Sequence, residues 1–478
     1  MRIEELIKII EKRKVRGISD NSGLVRKNFI FVAVKGTQAD GNRFINAAIE
    51  KGARFVVCDA RVKTSGLKSV SFIKVKDPRR ALAELAASFY KNPSQKLKVA
   101  GITGTNGKTT ITYLLEALLR KAGLSAGVIG TINHRFKNTV IPAKNTTPGP
   151  LDIQSMLARM LKEGVGYAVM EVSSHALDQD RVAAINFHSA IFTNLTQDHL
   201  DYHKTIKRYF AAKAKLFKRM APKSFVVINN DDKYAGILKK LTRAKIITYG
   251  IKNKADVQAK NIKFDVRHTE FDLSFSGRET RFRINLIGRH NVYNILAAAS
   301  WGIREGLSLK IIKSALEGFL LVPGRLERIK SKKGFSVFVD YAHTADALKN
   351  VLQALRQLSP NRIITLFGCG GQRDKLKRPK MGRVVTTLSD FAVITSDNPR
   401  SEKPLAIVRD ILKGIKKNNY CVIPQRRAAI RKSISLARPG DIVLLAGKGH
   451  ENYQIFSDKR IHFDDREEVR ACLKSLSY

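Results

Sequence analysis

The sequence predicts an α/β protein of three consecutive domains, over residues 1–97, 98–322 and 323–478. Three observations predict it. From residue 98 onward strand-like and helix-like segments alternate, the pattern of a parallel sheet covered on both faces. The alternation is interrupted by short β runs from about 256 to 287 and restarts after Pro323-Gly324. A chain of 478 residues, at roughly 150 residues per domain, has room for about three.

The elements follow in order. Ile3, Leu6, Ile9 and Ile10 form one face of an opening helix. NFIFVAVKG and ARFVVCDA are strand-like runs that end in turn residues. The helical stretch RRALAELAASFYKNPS stops at Asn92-Pro93, a boundary signal. KLKVAGITG then runs as a strand into a glycine loop, and TTITYLLEALLRKAG is a helix ended by Gly123. AGVIGTI, YAVMEVS, FHSAIFTNL and SFVVINND complete the central parallel sheet. The runs at 256–287 are expected to form a small antiparallel appendage, followed by the helix HNVYNILAAASWGIREG. Beyond Pro323-Gly324, FSVFVDYA, RIITLFGCGG, FAVITSDN, NYCVIP and DIVLLAGKG are strands of a second doubly wound sheet, Rossmann-like in pattern. The polar clusters DYAHT, GCGGQRD, SDNPR and GKGHE fall at its strand carboxyl ends, where such sheets bind ligands.

Composition excludes several classes. An apolar fraction of 44% with 27% charged residues is that of a globular chain, not a disordered one. No window of eighteen uncharged apolar residues is present, so no membrane span is expected. The opening MRIEELIKIIEKRK is charged throughout, and no signal peptide is expected there. Lysine and arginine number 87 against 41 acids, and 87 − 41 gives +46. That charge is spread over the chain without a basic tail. It accommodates any anionic partner, and no helix-turn-helix, zinc-finger or aromatic RNA-binding signature accompanies it. A nucleic-acid-dependent NTPase is the alternative it leaves. Cysteines 58, 369, 421 and 472 form no C-x-x-C pair, so a disulfide framework or structural zinc site is not expected and a reducing cytoplasm is. His199 and His203 form the only close histidine pair and lack an evident third ligand.

The strongest motif is Gly101-Ile-Thr-Gly104-Thr105-Asn106-Gly107-Lys108-Thr109-Thr110, which follows a strand and opens a helix. Its glycines let backbone N–H groups turn onto phosphate oxygens, and the helix N-terminus adds partial positive charge. Lys108 is expected to reach the terminal phosphates and Thr109 to place a hydroxyl on Mg²⁺. The central domain is thus of the P-loop ATPase type. Glu171 ends the strand YAVMEVSSH and faces the same crevice, as a carboxylate able to hold a second Mg²⁺. His199 stands at an equivalent strand end. Lys213, in YFAAKAKLF, reads in isolation as an exposed helix lysine.

GITGTNGKTT, EVSSHALDQDR, NLTQDHLDYH, YFAAKAKLF, LIGRHNVYNILAA, PGRLE, DYAHTADAL, GCGGQRDKLKRP, SDNPRSE and GKGHENYQ, in order over essentially the whole chain, resemble the Mur ligases. These are the ATP-dependent amino-acid ligases of peptidoglycan synthesis, and the resemblance is to the diaminopimelate-adding members. The phosphate loop alone also suits folylpolyglutamate synthases; the C-terminal motifs narrow the choice. The resemblance implies an acyl-phosphate mechanism in a monomeric, cytoplasmic enzyme. The N-terminal domain would bind a uridine nucleotide, the central one ATP and the C-terminal one the amino acid. It implies that Lys213 is carbamylated and, with Glu171, His199 and Thr109, holds Mg²⁺; with Lys108 these carry the catalysis. Asn291, Arg325 and His343 would join residues 104–110 in binding ATP. Ser22, Asn145, Thr146, Thr147, Ser173, Gln179 and Arg181 would bind the UDP-N-acetylmuramoyl-dipeptide.

The amino acid falls to Arg373, Asp397, Asn398, Pro399, Arg400, Gly447 and Glu451. Arg400 offers a planar fork for one carboxylate, Arg373 a second cation, and Glu451 an ammonium partner, with Gly447 allowing close backbone approach. That set fits diaminopimelate, and lysine, which lacks the distal carboxylate, is the alternative. Gln372, Leu376, Ala345 and Gln425 depart from residues usual in the family, as does NSG at 21–23. Gln425 stands where an aspartate normally neighbours the arginine.

Overall fold

The computed structural model describes residues 3–12, 14–36, 39–62, 70–265, 267–457 and 459–475. Among the described residues three large sheets follow one another along the chain, and a two-stranded hairpin, Tyr453–Phe456 with Lys459–His462, comes after them. The first is fully parallel, from Gly17–Ser19, Phe29–Val32, Ala53–Asp59 and Ser71–Val75 in that order. Alternate residues of its strands serve opposite faces. Ile30, Val32, Phe55 and Val57 pack beneath helices Ile3–Glu11 and Pro78–Phe89, while Phe31, Val56 and Cys58 pack on the other side.

The central sheet has eleven strands. Its parallel heart sets Lys98–Thr103 between Tyr167–Glu171 and Phe187–Phe192, with Phe225–Asn229 next and Ala126–Ile129 on the other flank. These strands read as continuous apolar runs because both faces are covered. Ala100, Ile102, Val169, Ile191 and Val227 face helices Lys108–Lys121 and Arg289–Arg304, around the buried Trp301. Val99, Ala168, Met170, Ala190 and Val226 face helices Pro150–Lys162 and Ile206–Lys218.

The expected antiparallel appendage proves to be an extension of this sheet. Tyr249 and Gly250, at the end of Lys245–Gly250, pair in parallel with Val257 and Gln258, and Thr269–Phe275 and Arg278–Ile284 then add antiparallel strands. The short runs in the sequence mark the strands but not the edge they join. A second antiparallel hairpin, Asn133–Phe136 with Thr139–Pro142, closes the opposite edge.

At the amino-terminal ends of the central strands a polar knot forms. The buried Glu305 carboxylate accepts from Lys98 Nζ, from Tyr167 Oη at 2.8 Å and pairs with His188 Nε2 at 2.7 Å. These partners hold Glu305 down to about 2 against the opposing effect of burial.

The third sheet runs Glu327–Lys330, Ser336–Asp340, Ile442–Ala446, Ile363–Phe367, Phe391–Ile394, Tyr420–Val422, parallel except for its first strand. It too is apolar on both faces: Phe338 and Leu444 serve one core, Val337 and Val443 the other. Among the described residues no helix is long and apolar enough to cross a membrane. All four cysteines are free, with Cys58 and Cys369 buried.

One ion pair inside this third unit stands out by its burial. Arg426 and Asp465 are 1% and 0% exposed, and the guanidinium meets the carboxylate in a fork at 2.7 and 2.6 Å. Arg426 also donates to the carbonyls of Ser396 and Ala446, the residues just before the DNPR and GKGHE loops. The acid that partners Arg426 thus comes from 39 residues downstream of it. Removing one member of such a pair strands a buried charge, whereas replacing both removes the problem. Arg426→Met should cost about 3–5 kcal/mol in denaturant unfolding followed by circular dichroism. The double variant Arg426→Met, Asp465→Leu should recover most of that loss, and a single variant as stable as the parent would refute the assignment.

Candidate functional site

Every parallel strand of the central heart ends at the same edge, so Thr103, Glu171, Phe192 and Asn229 deliver their following loops to one crevice. The phosphate loop lies in its middle. Gly104 and Gly107 take φ of +148° and +90°, values open to glycine. A Cβ on Gly104 would lie 1.8 Å from Thr193 Oγ1, and one on Gly107 2.5 Å from Asn294 Oδ1. Thr193 Oγ1 donates to Asn106 O at 2.6 Å, and Asn106 N donates to Asn194 Oδ1 at 3.0 Å, so the neighbouring strand end braces the loop. Lys108 folds back over it, donating to the carbonyls of Gly104 and Thr105 at 2.9 and 2.8 Å. Desolvation lowers its pKa.

Lys213 is the position where the structure departs most from the isolated sequence reading. Rather than an exposed helix lysine, it is 1% exposed. Its Nζ donates to Gly104 O at 2.8 Å and sits 4.6 Å from the centre of the Tyr209 ring. Desolvation first, and then the nearby Lys108 charge, hold this amine well below the ordinary lysine range. A low pKa makes the neutral, nucleophilic amine accessible.

Glu171, 1% exposed, has both oxygens occupied. Oε2 accepts from Thr109 Oγ1 at 3.1 Å and Thr131 Oγ1 at 2.9 Å, and Oε1 from Thr131 N at 2.8 Å. His199 begins the short helix Leu200–His203 in the left-handed region, φ 54°, without a side-chain cap bond. It is thus no capping histidine. Its ring lies 3.4 Å from Asp198 Oδ2 and packs edge-on to His175, with ring centroids 4.8 Å apart. Desolvation pushes its pKa down to about 3 despite the attraction of Asp198, leaving a neutral imidazole. His203 turns away to Ser174 Oγ at 2.9 Å, so the two histidines do not converge.

Among the described residues no group of three or more His, Cys, Asp or Glu is arranged to hold a metal by itself. Thr109 and Glu171 instead present an oxygen pair. That donor set suits Mg²⁺, which takes few protein ligands and completes its shell with phosphate and water.

A cavity of about 800 Å³ opens beside the loop, lined by Asn106, Gly107, Asn291 and Arg325 among others. That size suits a nucleotide. Asn291 lies inside the helix Arg289–Arg304 rather than at its cap, and its amide donates to Ile287 O at 2.8 Å. Arg325 crosses from the third unit to Thr109 Oγ1 at 3.2 Å, stacked on the Tyr341 ring at 4.8 Å. His343 is not among the residues lining this cavity; its Nδ1 pairs with Tyr341 O at 2.7 Å.

Thr147, Ser173, Gln179 and Arg181 form one network against Glu171. Thr147 Oγ1 donates to Glu171 O and accepts from Ser173 N, at 2.8 and 3.0 Å. Arg181 donates to Thr147 O at 2.9 Å and to Gln179 Oε1. Thr146 joins through Thr131 at 3.1 Å, and Asn145 is exposed beside them. Ser22 lies in the first unit, opening the short turn Ser22–Leu24.

The third unit brings the remaining set together. Asn398 Nδ2 donates to Glu451 Oε2 at 2.8 Å, and the Cβ position of Gly447 falls 3.3 Å from Asp397 Oδ2. Arg400 donates to Gly371 O at 2.8 Å, and the charge of Arg373 adds to desolvation in lowering its pKa. Gly371 packs against Pro399 O, which would be 1.9 Å from a Cβ there.

Sequence reasoning missed Thr131, Asp346 and Lys448. Asp346 accepts from Asn106 Nδ2 at 2.9 Å and Thr196 Oγ1 at 3.1 Å, tying the third unit to the phosphate loop. Its place in DYAHTADAL was the available signal; Thr131, after the strand Ala126–Ile129, carried none.

Comparison with known proteins covers all three units. The Mur ligase family catalytic domain matches residues 14–90, the Mur ligase middle domain 102–302 and the Mur ligase glutamate ligase domain 324–449. A protein of Clostridium tetani (strain Massachusetts / E88) named UDP-N-acetylmuramoyl-L-alanyl-D-glutamate–2,6-diaminopimelate ligase is 44% identical over 487 aligned positions, covering 100% of both chains. A solved structure titled with the same enzyme name has a TM-score of 0.70 at 32% identity, covering 97% of this chain and 96% of that one. The MurF ligase of Thermotoga maritima in complex with ADP shares the fold, with a TM-score of 0.64 at 20% identity over 96% and 97% of the two chains. With a strand-end phosphate loop, a second doubly wound sheet closing over it and this likeness along its full length, the chain belongs to the Mur ligase family.

Proposed function

We propose that this protein uses ATP to join meso-diaminopimelate to the D-glutamate of UDP-N-acetylmuramoyl-L-Ala-D-Glu, through an acyl phosphate, in the cytoplasm. The observation that carries it is the reach of Arg325 from the third unit to Thr109 of the phosphate loop. It supports a reading in which the loops of the third unit that carry Arg400 and Glu451 serve the same reaction as the phosphate loop. The full-length likeness to the Clostridium tetani ligase supports the substrates, and the ADP in the Thermotoga maritima structure supports the nucleotide. Four free cysteines suit a reducing compartment.

A carboxylate is a poor acyl donor because its oxygen will not leave. One carboxylate oxygen therefore attacks the γ-phosphorus of ATP, and the bond to the β-phosphate oxygen breaks to release ADP. The amine of diaminopimelate then attacks the acyl carbon, inorganic phosphate leaves, and the nitrogen sheds its proton as the amide forms. Two anions must meet in the first step. Lys108 would leave the Gly104 and Thr105 carbonyls for the terminal phosphates, and the loop's N–H groups would take the remaining oxygens. Thr147, Ser173, Gln179 and Arg181 would hold the muramoyl-dipeptide beside Glu171, with Asn145 and Thr146 at the rim and Ser22 at the uridine end.

Thr109, Glu171, His199 and a carbamate on Lys213 would hold Mg²⁺, which when bound offsets the phosphate charge. The depressed pKa of Lys213 suits carbamate formation: its neutral nitrogen bonds to the carbon of CO₂ and releases a proton. With ¹³C-bicarbonate the protein should show a carbonyl resonance that Lys213→Arg abolishes. A spectrum that is the same for both would remove the carbamate from the mechanism.

The reaction itself is tested by resolving products by mass. ADP, phosphate and the tripeptide adduct should appear only with ATP, the muramoyl-dipeptide and diaminopimelate together, and lysine should be a poor replacement. Arg400→Ala should raise KM for diaminopimelate by about 10–100-fold, the value of a charge-assisted bond, and erase the preference over lysine. ATP turnover indifferent to the muramoyl-dipeptide would end the proposal.

A further inference from the structure

Lys448 belongs to GKGHE yet has no place among the substrate-binding residues assigned above. Its side chain is 0% exposed, so it does not itself reach an amino acid in the cleft. Its Nζ lies 3.3 Å from Asn398 Oδ1, 3.5 Å from Asp397 Oδ1 and 3.5 Å from Glu451 Oε2, and 5.5 Å from the centre of the Tyr453 ring. Asp397 Oδ1 is buried and, among the described residues, has no hydrogen-bond partner. Two carboxylates held close together repel, and a cation between them offsets that repulsion. Lys448 is placed as that cation. It also joins the loops that follow Ile394 and Ala446, whose strands flank Ile363–Phe367.

We propose that Lys448 is a positioning residue of the amino-acid site. Its buried Nζ holds Asp397, Asn398 and Glu451 together as one acidic face turned to the ammonium of the incoming amino acid. The inference rests on the ligase reading above. Glu451 is already raised above the ordinary carboxylate range, by desolvation and then by Asp397, while Lys448 opposes the rise. The other groups facing Glu451 are Asn398, which donates to it, Tyr341 with its hydroxyl 3.4 Å away, Tyr453, which hydrogen-bonds it, and Arg400 and Arg426, which act on it through their charge. None of these stands between the two carboxylates as Lys448 does. Without it Glu451 retains a proton to higher pH and loses its hold on an ammonium. The sign is therefore fixed: amino-acid binding weakens as pH falls, and removing Lys448 moves that loss upward in pH.

The test compares the full-length enzyme with Lys448→Met, Lys448→Gln and Lys448→Arg, measuring kcat and KM for diaminopimelate and for ATP across pH. We expect KM for diaminopimelate to rise at least about tenfold at neutral pH in Met and Gln, the loss of roughly one buried charge contact. KM for ATP should stay within about twofold, and the acid limb of kcat/KM for diaminopimelate should move up by about one pH unit or more. Arg, which keeps the charge, should restore much of the affinity. The Gln variant keeps a donor in place, so a Met variant that fails to fold leaves the comparison intact. Unchanged KM and an unmoved acid limb in a folded variant overturn the inference, as does a parallel rise in KM for ATP. A parent enzyme that ignores diaminopimelate fails the ligase reading instead.

Discussion

Gly104 is where the chain leaves its strand so close to Thr193 that only a hydrogen fits on its Cα. The rest of the crevice depends on that contact. It sets the path of the phosphate loop, and with it the direction of the Gly104 carbonyl, on which both Lys108 and Lys213 converge. Two amines on one oxygen do not both carry charge comfortably in a desolvated site. Desolvation lowers the pKa of both, and the Lys108 charge lowers that of Lys213 further. A single backbone carbonyl thus gathers both lysines of the crevice, one half-buried and one fully buried.

The three units do not contribute separately to this crevice. Thr109 is shared between Glu171 of its own sheet and Arg325 of the next, and Asn106 is bonded to Asp346. Lys380 reaches Gln197 at 2.8 Å alongside. The turn that begins the third unit is itself packed into its ligand loops, since Gly324 would place a Cβ 2.0 Å from His450 N. The linker and the GKGHE loop are therefore one packed piece. A shift in either is felt at the other, and through Arg325 at the phosphate loop.

Much of this was legible in the sequence because it is local. The strand, glycine turn and Gly-Lys-Thr of the phosphate loop lie within a dozen residues, and the strand ends bearing Glu171 and Asp397 are marked by apolar runs that stop at polar clusters. What was not legible is pairing over distance. The runs at 256–287 show strands but not that Tyr249 and Gly250 would accept them as an extension of the main sheet. Lys213 and Lys215 look alike on a helix; only the packing of that helix under the phosphate loop buries one of them. Nothing near Arg426 in the sequence names its partner, and Asp465 reaches it from the helix Asp465–Ser475. Thr131 is one threonine in a turn until the fold sets both its donors on one carboxylate.

The knot around Glu305 gives the central sheet a bound end and a working end. Lys98, Tyr167 and His188 begin three adjacent strands and are cross-tied there by one carboxylate. The opposite ends carry the phosphate loop and the turns after Glu171 and Phe192. Register errors introduced at the loops cannot propagate through strands pinned at their origin. The turns after Thr103, Glu171 and Phe192 can therefore shift to meet a ligand while the strands beneath them keep their register.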